Sequence, residues 1–428
     1  MTLPTIPQLP LWTAYPILII GFFIAFFYVF VIFQKDEKEI QARKFFPEIA
    51  FVIPARNVEK YIEKCVVSVV KQDYKNKIYI VVVNDASEDR TPEIVKKLKE
   101  KYNSSLREII LINRKKSVGR KAPVVNTGLR YVLKKLKTEL VAPLDSDTFI
   151  ASDIVKKACG FFEHDKNVVA VTCPLLPYKP SKFLEKMQEV EYIMSMFFRK
   201  LLSRINALCF TPAFSIFRTS FFKKAGLYNE NTWTEDFDIA LRARSKFYKI
   251  VQIDSKAWFI APETWKKLRN ERVRWAHGTF QALFKDYRYM ISPKYGMIGT
   301  FFLPVTVFFG LTLIMVAFLM IVYNAIASSI NFLHNLSIGW KPILDFKINL
   351  FDISVFLSDP RVILAIMAIS ISIFFLTFAQ KYTKKKVNLF YYFIFITIFT
   401  WFLAYTQLEG LIRYIFKLKM SWGEMHKK

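Results

Sequence analysis

An uncharged, almost wholly apolar run from Leu11 to Phe33 constrains this chain before anything else does. It has about the length needed to cross a hydrocarbon layer as one helix. Three comparable runs lie far downstream, at Met297–Tyr323, Val362–Ala379 and Leu389–Tyr405. With 53% hydrophobic residues and 43 phenylalanines, the chain is too apolar for an ordinary soluble enzyme, and these runs hold much of the excess. Ahead of Leu11 there is no basic residue and no small-residue cleavage site, so a membrane helix is expected and a removable leader is not. The mixed stretch Asn324–Pro360, with Trp340, Phe346 and Phe351, reads as interfacial.

Charge orients the segments. The net charge is +27, yet no compact basic module interleaved with stacking aromatics is present, so nucleic acid is not an expected partner. Beside membrane-length runs, a basic balance suits anionic headgroups and anionic substrates. The charged linker Gln34–Lys44 and the loop Lys381–Val387 belong on the cytoplasmic side. One span before the middle region and three after it would leave the C-terminus outside, whereas the basic tail Arg413–Lys428 prefers the inside. The parity stays open. The four cysteines (Cys65, Cys159, Cys173, Cys209) are scattered through the middle region, as reduced core thiols would be.

The expected plan is an N-terminal membrane helix over 1–33, a linker over 34–46, an α/β domain over 47–288 and a C-terminal membrane region over 289–428. In the middle domain, apolar strands at Ile49–Ile53, Ile78–Val83, Ile109–Ile112 and Leu140–Leu144 alternate with helical patterns at Val58–Gln72, Thr91–Tyr102 and Ala122–Leu136. Near-continuous apolar strands between amphipathic helices imply a mostly parallel sheet covered on both faces. Ligands of such sheets collect at the carboxyl ends of the strands. The stripe Phe183, Met187, Val190, Met194, Phe197 and Leu201 reads as core packing or as a helix at the membrane surface.

Several residues at those strand ends can carry chemistry. Asp145 and Asp147 flank Ser146 after the fourth strand and share a side only if the backbone turns there. A paired-acid tip suits a hard divalent cation completed by phosphate oxygens, or is simply a polar turn. Asp85 ends the second strand and can bind a base or ribose, or cap the turn through Ser87, Asp89 and Thr91. Lys121 opens a helix, where an anion is favoured, although a solvated basic face is by itself the commoner explanation. Glu235 and Asp236 begin another helix, either satisfying its dipole or supplying a general base. Arg269, Arg272 and Arg274 crowd Trp275; Arg272 and Trp275 fall on one helix face, suited to gripping phosphate and stacking, or to anchoring a surface helix.

Taken in order, these motifs resemble the membrane-bound family 2 glycosyltransferases, which include hyaluronan, chitin and cellulose synthases and lipid-directed sugar transferases. The resemblance rests on Pro54-Ala55-Arg56-Asn57, Val83–Thr91, Lys121-Ala122 with Asn126–Leu129, Leu144–Asp147, Thr234-Glu235-Asp236 and Glu271–Trp275. It covers Pro47 to Gly278 and the flanking apolar segments. It implies a GT-A fold, an α/β Rossmann-like mixed sheet fused to transmembrane helices. It further implies a nucleotide-sugar donor, Mn²⁺ or Mg²⁺, and inversion at the anomeric carbon. By position, Pro54, Arg56, Asp85, Lys121, Asp145, Ser146, Asp147, Arg272 and Arg274 would bind the nucleotide sugar. Asp147, and less directly Asp145, would hold the metal. Asp236, beside Glu235, would be the base, and Trp275 with Glu271 would meet the acceptor.

Two departures stand out. Polymerising members carry Q-x-x-R-W, and Glu271 occupies the first position here, keeping an acceptor but losing a donor. The base-binding turn reads Asn84-Asp85 where two acids are common. The expected function is single transfer of a hexose or N-acetylhexosamine from a UDP or GDP donor to a lipid-linked or glycan acceptor, at the cytoplasmic face of the plasma membrane and in contact with membrane lipids. A processive synthase threading its product through the membrane is the alternative, and a non-catalytic scaffold or transporter the remote one. Nothing in the sequence indicates an oligomeric state.

Overall fold

The computed structural model describes residues 15–34, 42–338 and 360–418. The interfacial tryptophan stretch and the end of the basic tail expected from sequence lie largely outside these residues.

The catalytic region is built on a seven-stranded mixed sheet of order β3-β2-β1-β4-β8-β6-β9. Strands β1 (Ile49–Ala55), β2 (Ile78–Asn84), β3 (Arg107–Asn113) and β4 (Leu140–Pro143) run parallel to one another, with Ile49 opposite both Ile78 and Leu140. Five of the seven β1 side chains are apolar and almost fully buried in unbroken succession, as a strand covered on both faces requires. Helices α2 (Ile62–Val70), α3 (Thr91–Tyr102) and α4 (Lys121–Tyr131) connect them, close to the expected positions. The helix expected to continue to Leu136 widens into a π turn over Val132–Leu136.

Strand β8 (Ser215–Arg218) runs antiparallel between β4 and β6 (Val168–Thr172), and β9 (Lys249–Gln252) completes the edge. A second sheet joins β5 (Thr148–Ile150), β10 (Ala257–Phe259) and β7 (Leu175–Pro177). The chain therefore leaves the main sheet at Pro143 and enters the second at Thr148, which puts the paired acids in the crossing between them.

Close approach of α4 to this sheet depends on one glycine. A Cβ at Gly128 would lie 2.4 Å from Val52 Cγ1 and 3.0 Å from Val83 Cγ2, so a side chain there has no room.

The remaining helices pack under the domain. Helix α5 (Ile154–His164) precedes β6, and α6 (Phe183–Arg204) buries Met187, Val190, Ile193, Phe197 and Leu201. Its stripe is core: Met187 packs with Leu268 and Phe399, and Val190 with Leu376 and Tyr392. Only its first turn shows an exposed aromatic, Phe183. After α7 (Thr219–Ala225) and α8 (Glu235–Ser245), α9 (Trp265–Gln281) lies along the C-terminal helix Thr400–Ile415.

The apolar run around Pro304 is helical, as expected, but by a particular route. Proline has no N–H to donate, and the run adopts a π form over Ile298–Phe309 before continuing as the helix Gly310–Ile338, beyond the expected end at Tyr323. Two stretches among the described residues, Val362–Thr383 and Leu389–Ile415, are helices long and apolar enough to cross a membrane. Ile19–Ile32, and Phe318–His334 within the helix Gly310–Ile338, are shorter apolar helical stretches. Phe23, Phe26, Phe30, Ile366, Phe390 and Ile398 leave large apolar surfaces exposed on these helices. All four cysteines are buried and free, as the sequence suggested.

Candidate active site

The strand ends and turns at the two acids of the crossing, so that Asp145 faces the cleft and lies near enough for its charge to act on Asp147. Thr148 N donates to Asp145 O at 3.0 Å, closing the turn, and Asp145 N donates to Ala213 O at 3.0 Å, tying it to the segment before β8. Into this cleft α4 delivers Lys121 from its first turn. The Lys121 ammonium lies 2.6 Å from Asp145 Oδ1 and 3.2 Å from Glu235 Oε1, bridging the paired-acid turn to the start of α8. Asp145, Lys121, Glu235 and Asp236 line one small cavity with Thr211, Tyr228 and Pro143.

Electrostatics sort the acids. Burial works against the Lys121 ammonium, but Asp145, Glu235 and Asp236 outweigh it and hold its pKa above the usual lysine range. Burial also disfavours the Glu235 carboxylate, yet Lys121 and Arg274 keep its pKa below normal. Asp236 goes the other way: burial, and then the charge of Glu235, raise it. Burial likewise raises Asp145 despite Lys121. Asp147 is pushed up to about 7 by burial and then by Asp145. A carboxylate destabilised by burial and a like charge is one that a cation would relieve.

The residues fit a divalent metal of limited protein ligation. Asp145 and Asp147 are two carboxylates of raised pKa at one turn, a donor set suited to a divalent ion that completes its shell with phosphate oxygens. The Lys121 ammonium occupies one oxygen of Asp145, which leaves Asp147 the more available donor.

Asp85 stands at the end of β2, beside Ser117 and Arg114. Its carboxylate accepts from Ser117 Oγ at 2.6 Å, lies 3.4 Å from Arg114 Nε and is almost fully buried. Arg56 in turn donates to Ser117 Oγ, and Asn84 Nδ2 reaches Asn113 Oδ1 at 2.9 Å. Sequence reasoning passed over Arg114 and Ser117. The turn alternative is also partly realised, through neighbours: Thr91 N and Glu59 N donate to Asp89, each at 3.0 Å.

The arginine–tryptophan helix divides its residues between two places. Arg274 Nη1 donates to Trp233 O at 2.9 Å, and its charge acts on Asp145, Glu235 and Asp236. Arg272 turns the other way. It forms a two-pronged pair with Glu191 at 3.0 and 2.8 Å, pairs with Glu271, and lies 4.1 Å from the Trp275 ring. Arg272 and Trp275 share a helix face as expected, but the guanidinium expected to grip phosphate is engaged by the carboxylates of Glu191 and Glu271. Glu191 was not singled out in the sequence, because an acid within an apolar helical stripe looks like a solvated position.

With the cleft described, comparison with known proteins settles the family. Residues 50–226 match the model for "Glycosyl transferase family 2", and residues 140–405, more than half of the chain, match "Glycosyl transferase family group 2". The chain belongs to glycosyltransferase family 2. This glycosyltransferase-family chain is 28% identical over 244 residues to the poly-beta-1,6-N-acetyl-D-glucosamine synthase of Staphylococcus aureus strain COL, covering 56% of each. It is 28% identical over 251 residues to the synthase of the same name from Staphylococcus epidermidis, covering 58% of each. The chain thus spans little more than half the length of these curated relatives. A mannosyltransferase from Pyrobaculum calidifontis, solved with GDP-Man and Mn²⁺, superposes at a TM-score of 0.60 over 95% of this chain and 97% of that one, at 16% identity. At that identity the likeness establishes the shared fold, the GT-A-like mixed sheet.

Proposed function

We propose that the chain is an inverting, metal-dependent glycosyltransferase that moves one sugar from a nucleotide-diphosphate sugar to a lipid-linked or glycan acceptor at the cytoplasmic face of the membrane. The observation that carries this is the Lys121 bridge, which brings Asp145 and Glu235 to one ammonium and so assembles the paired-acid turn and the α8 acids into one cleft. Pro54, Arg56 and Asp85 are assigned to the nucleotide, and Lys121, Ser146 and Arg274 to the sugar diphosphate. Arg272 supports this cleft through Glu191 and Trp275, with Trp275 and Glu271 meeting the acceptor.

In the reaction the anomeric C1–O bond to the diphosphate breaks, and the leaving oxygen keeps the electron pair. The acceptor oxygen bonds to C1 from the opposite face, and its proton passes to a carboxylate. The opposite shifts of the two adjacent acids support a division of roles. Glu235 stays ionised as the partner of Lys121, and Asp236, whose pKa is raised, accepts the proton. Mn²⁺ or Mg²⁺ held by Asp147, and less directly by Asp145, would neutralise charge on the leaving diphosphate. Lys121 and Arg274 add positive charge there.

Membrane placement is supported by the two membrane-length helices and by the lysine-rich Lys381–Val387 segment between them. Asp236→Asn is expected to abolish transfer while leaving nucleotide and Mn²⁺ binding largely intact, measured by calorimetry beside a radiolabel transfer assay. Retained transfer removes Asp236 from the base role.

The processive reading has its own support, since the curated relatives are named as synthases of a polymer. Product analysis separates the two: one added sugar supports single transfer, and a ladder supports polymerisation.

A further inference from the structure

The turn that leads into the helix of Asp236 is held by α9, and α9 in turn by the C-terminal apolar helix. Trp233 and Thr234 immediately precede α8, and both are gripped by α9. Arg274 donates to the Trp233 carbonyl, and the His277 ring meets the Trp233 indole edge-on with centroids 6.2 Å apart. A Cβ at Gly278 would lie 2.4 Å from Thr234 Oγ1, so α9 and the turn touch backbone to side chain. Thr234 O in turn accepts from Asp238 N at 3.0 Å, starting the ladder of the helix on which Asp236 sits.

Helix α9 is itself fixed from the opposite side by the C-terminal helix. A Cβ at Gly410 would lie 2.5 Å from Ala276 Cβ, 3.0 Å from His277 N and 3.1 Å from Val273 O. The Tyr414 ring meets His277 edge-on at 5.8 Å, so His277 is held between Tyr414 and Trp233. Glu409 accepts from Arg269 at 2.6 Å and from Arg413 at 2.8 Å, clamping the two helices with charge. Contact runs without a gap from a membrane-length helix to the turn bearing the base.

We propose that the C-terminal helix positions the base from a distance, with Gly410 and the ring of Tyr414 setting Asp236 through Ala276, His277 and the Trp233-Thr234 turn. This rests on the reading of Asp236 as the base. A displacement of about 1 Å at a reacting group can cost on the order of 100-fold in rate while leaving distant binding contacts unaffected. A side chain at Gly410 must push α9 by such an amount.

The test uses the full chain in detergent micelles, following UDP or GDP release from UDP-GlcNAc or GDP-mannose in the presence of native membranes. Binding of UDP and GDP with Mn²⁺ is measured in parallel. Gly410→Val is expected to lower kcat by about 10- to 100-fold with nucleotide affinity and donor KM unchanged. Ala276→Gly is expected to restore part of the kcat lost in Gly410→Ala, because it removes the nearest clashing atom. Tyr414→Phe should keep activity, and Tyr414→Ala should lower kcat alone. Unchanged kcat in Gly410→Val overturns the proposal, as does parallel loss of kcat and nucleotide binding. If Gly410→Val does not yield folded protein, the Gly410→Ala/Ala276→Gly pair and the two Tyr414 variants decide alone. Full activity in Asp236→Asn sinks the base assignment instead, whatever the Gly410 variants do.

Discussion

Lys121 and its carboxylates decide what this cleft can do. Asp145, Asp147, Glu235 and Asp236 are drawn together, and the cations acting on them are Lys121 and Arg274. The surplus of negative charge is an unfavourable arrangement for the chain alone and a favourable one for a divalent ion with a diphosphate. Asp236 has a raised pKa, so as pH falls it is protonated before an ordinary carboxylate would be, and a protonated acid cannot accept the acceptor's proton. Transfer should therefore fall on an acid limb lying above the ordinary aspartate value of about 4. A pH profile of kcat with saturating donor and Mn²⁺ checks this, and an acid limb at or below that value contradicts it. Arg272 shows the opposite economy: it is almost fully buried, and Glu191 and Glu271 compensate its charge.

Among the elements, α4 is the one whose packing is most exacting. It places Lys121 at its start and Asn126 in its middle, where Asn126 accepts from Tyr228 N at 3.0 Å and donates to Tyr228 O at 2.9 Å. The helix can sit this low on β1 and β2 because Gly128 has no Cβ. Alanine there would gain about 1 kcal/mol of helix propensity but would overpack two fully buried valines, which typically costs about 1–3 kcal/mol. Gly128→Ala is expected to lower the unfolding midpoint by a few degrees, roughly 2–4 °C per kcal/mol for a domain of this size. Adding Val52→Ala should recover much of that loss. A midpoint that rises in the single variant would show that α4 has slack.

At the scale of the whole molecule, the catalytic domain and the apolar helices form one packed body. Gln252 Nε2 donates to Tyr382 Oη at 2.9 Å, and Tyr28 meets Phe198 with ring centroids 5.0 Å apart, so helices from both ends of the chain close on α6 and the sheet edge. The lysines at 381, 384, 385 and 386 sit where the helix Pro360–Thr383 gives way to the next, which under the proposed topology is the cytoplasmic end. Since all four native cysteines are buried, a cysteine introduced at Lys385 gives a clean reporter. It should react with an impermeant maleimide in inside-out vesicles and stay unlabelled in intact cells. Labelling in intact cells would invert the topology.

Local patterns determined much of this protein by themselves. Alternating apolar strands and amphipathic helices specify a mostly parallel α/β domain, because strands covered on both faces must be apolar along their whole length. Uncharged runs specify long apolar helices, and short polar motifs mark the strand ends where ligands bind. Tertiary structure decided what adjacency in sequence cannot carry. The crossing from the main sheet to the second carries both Asp145 and Asp147 and brings Asp145 to the cleft beside Glu235 and Asp236. Lys121 joins acids that lie far apart in the chain, and Glu191, inside an apolar stripe, takes up Arg272. Electrostatic pairing and backbone contact act through space, so the partners of Lys121 and Arg272, like the support of Asp236 by α9, emerge only once the chain has folded.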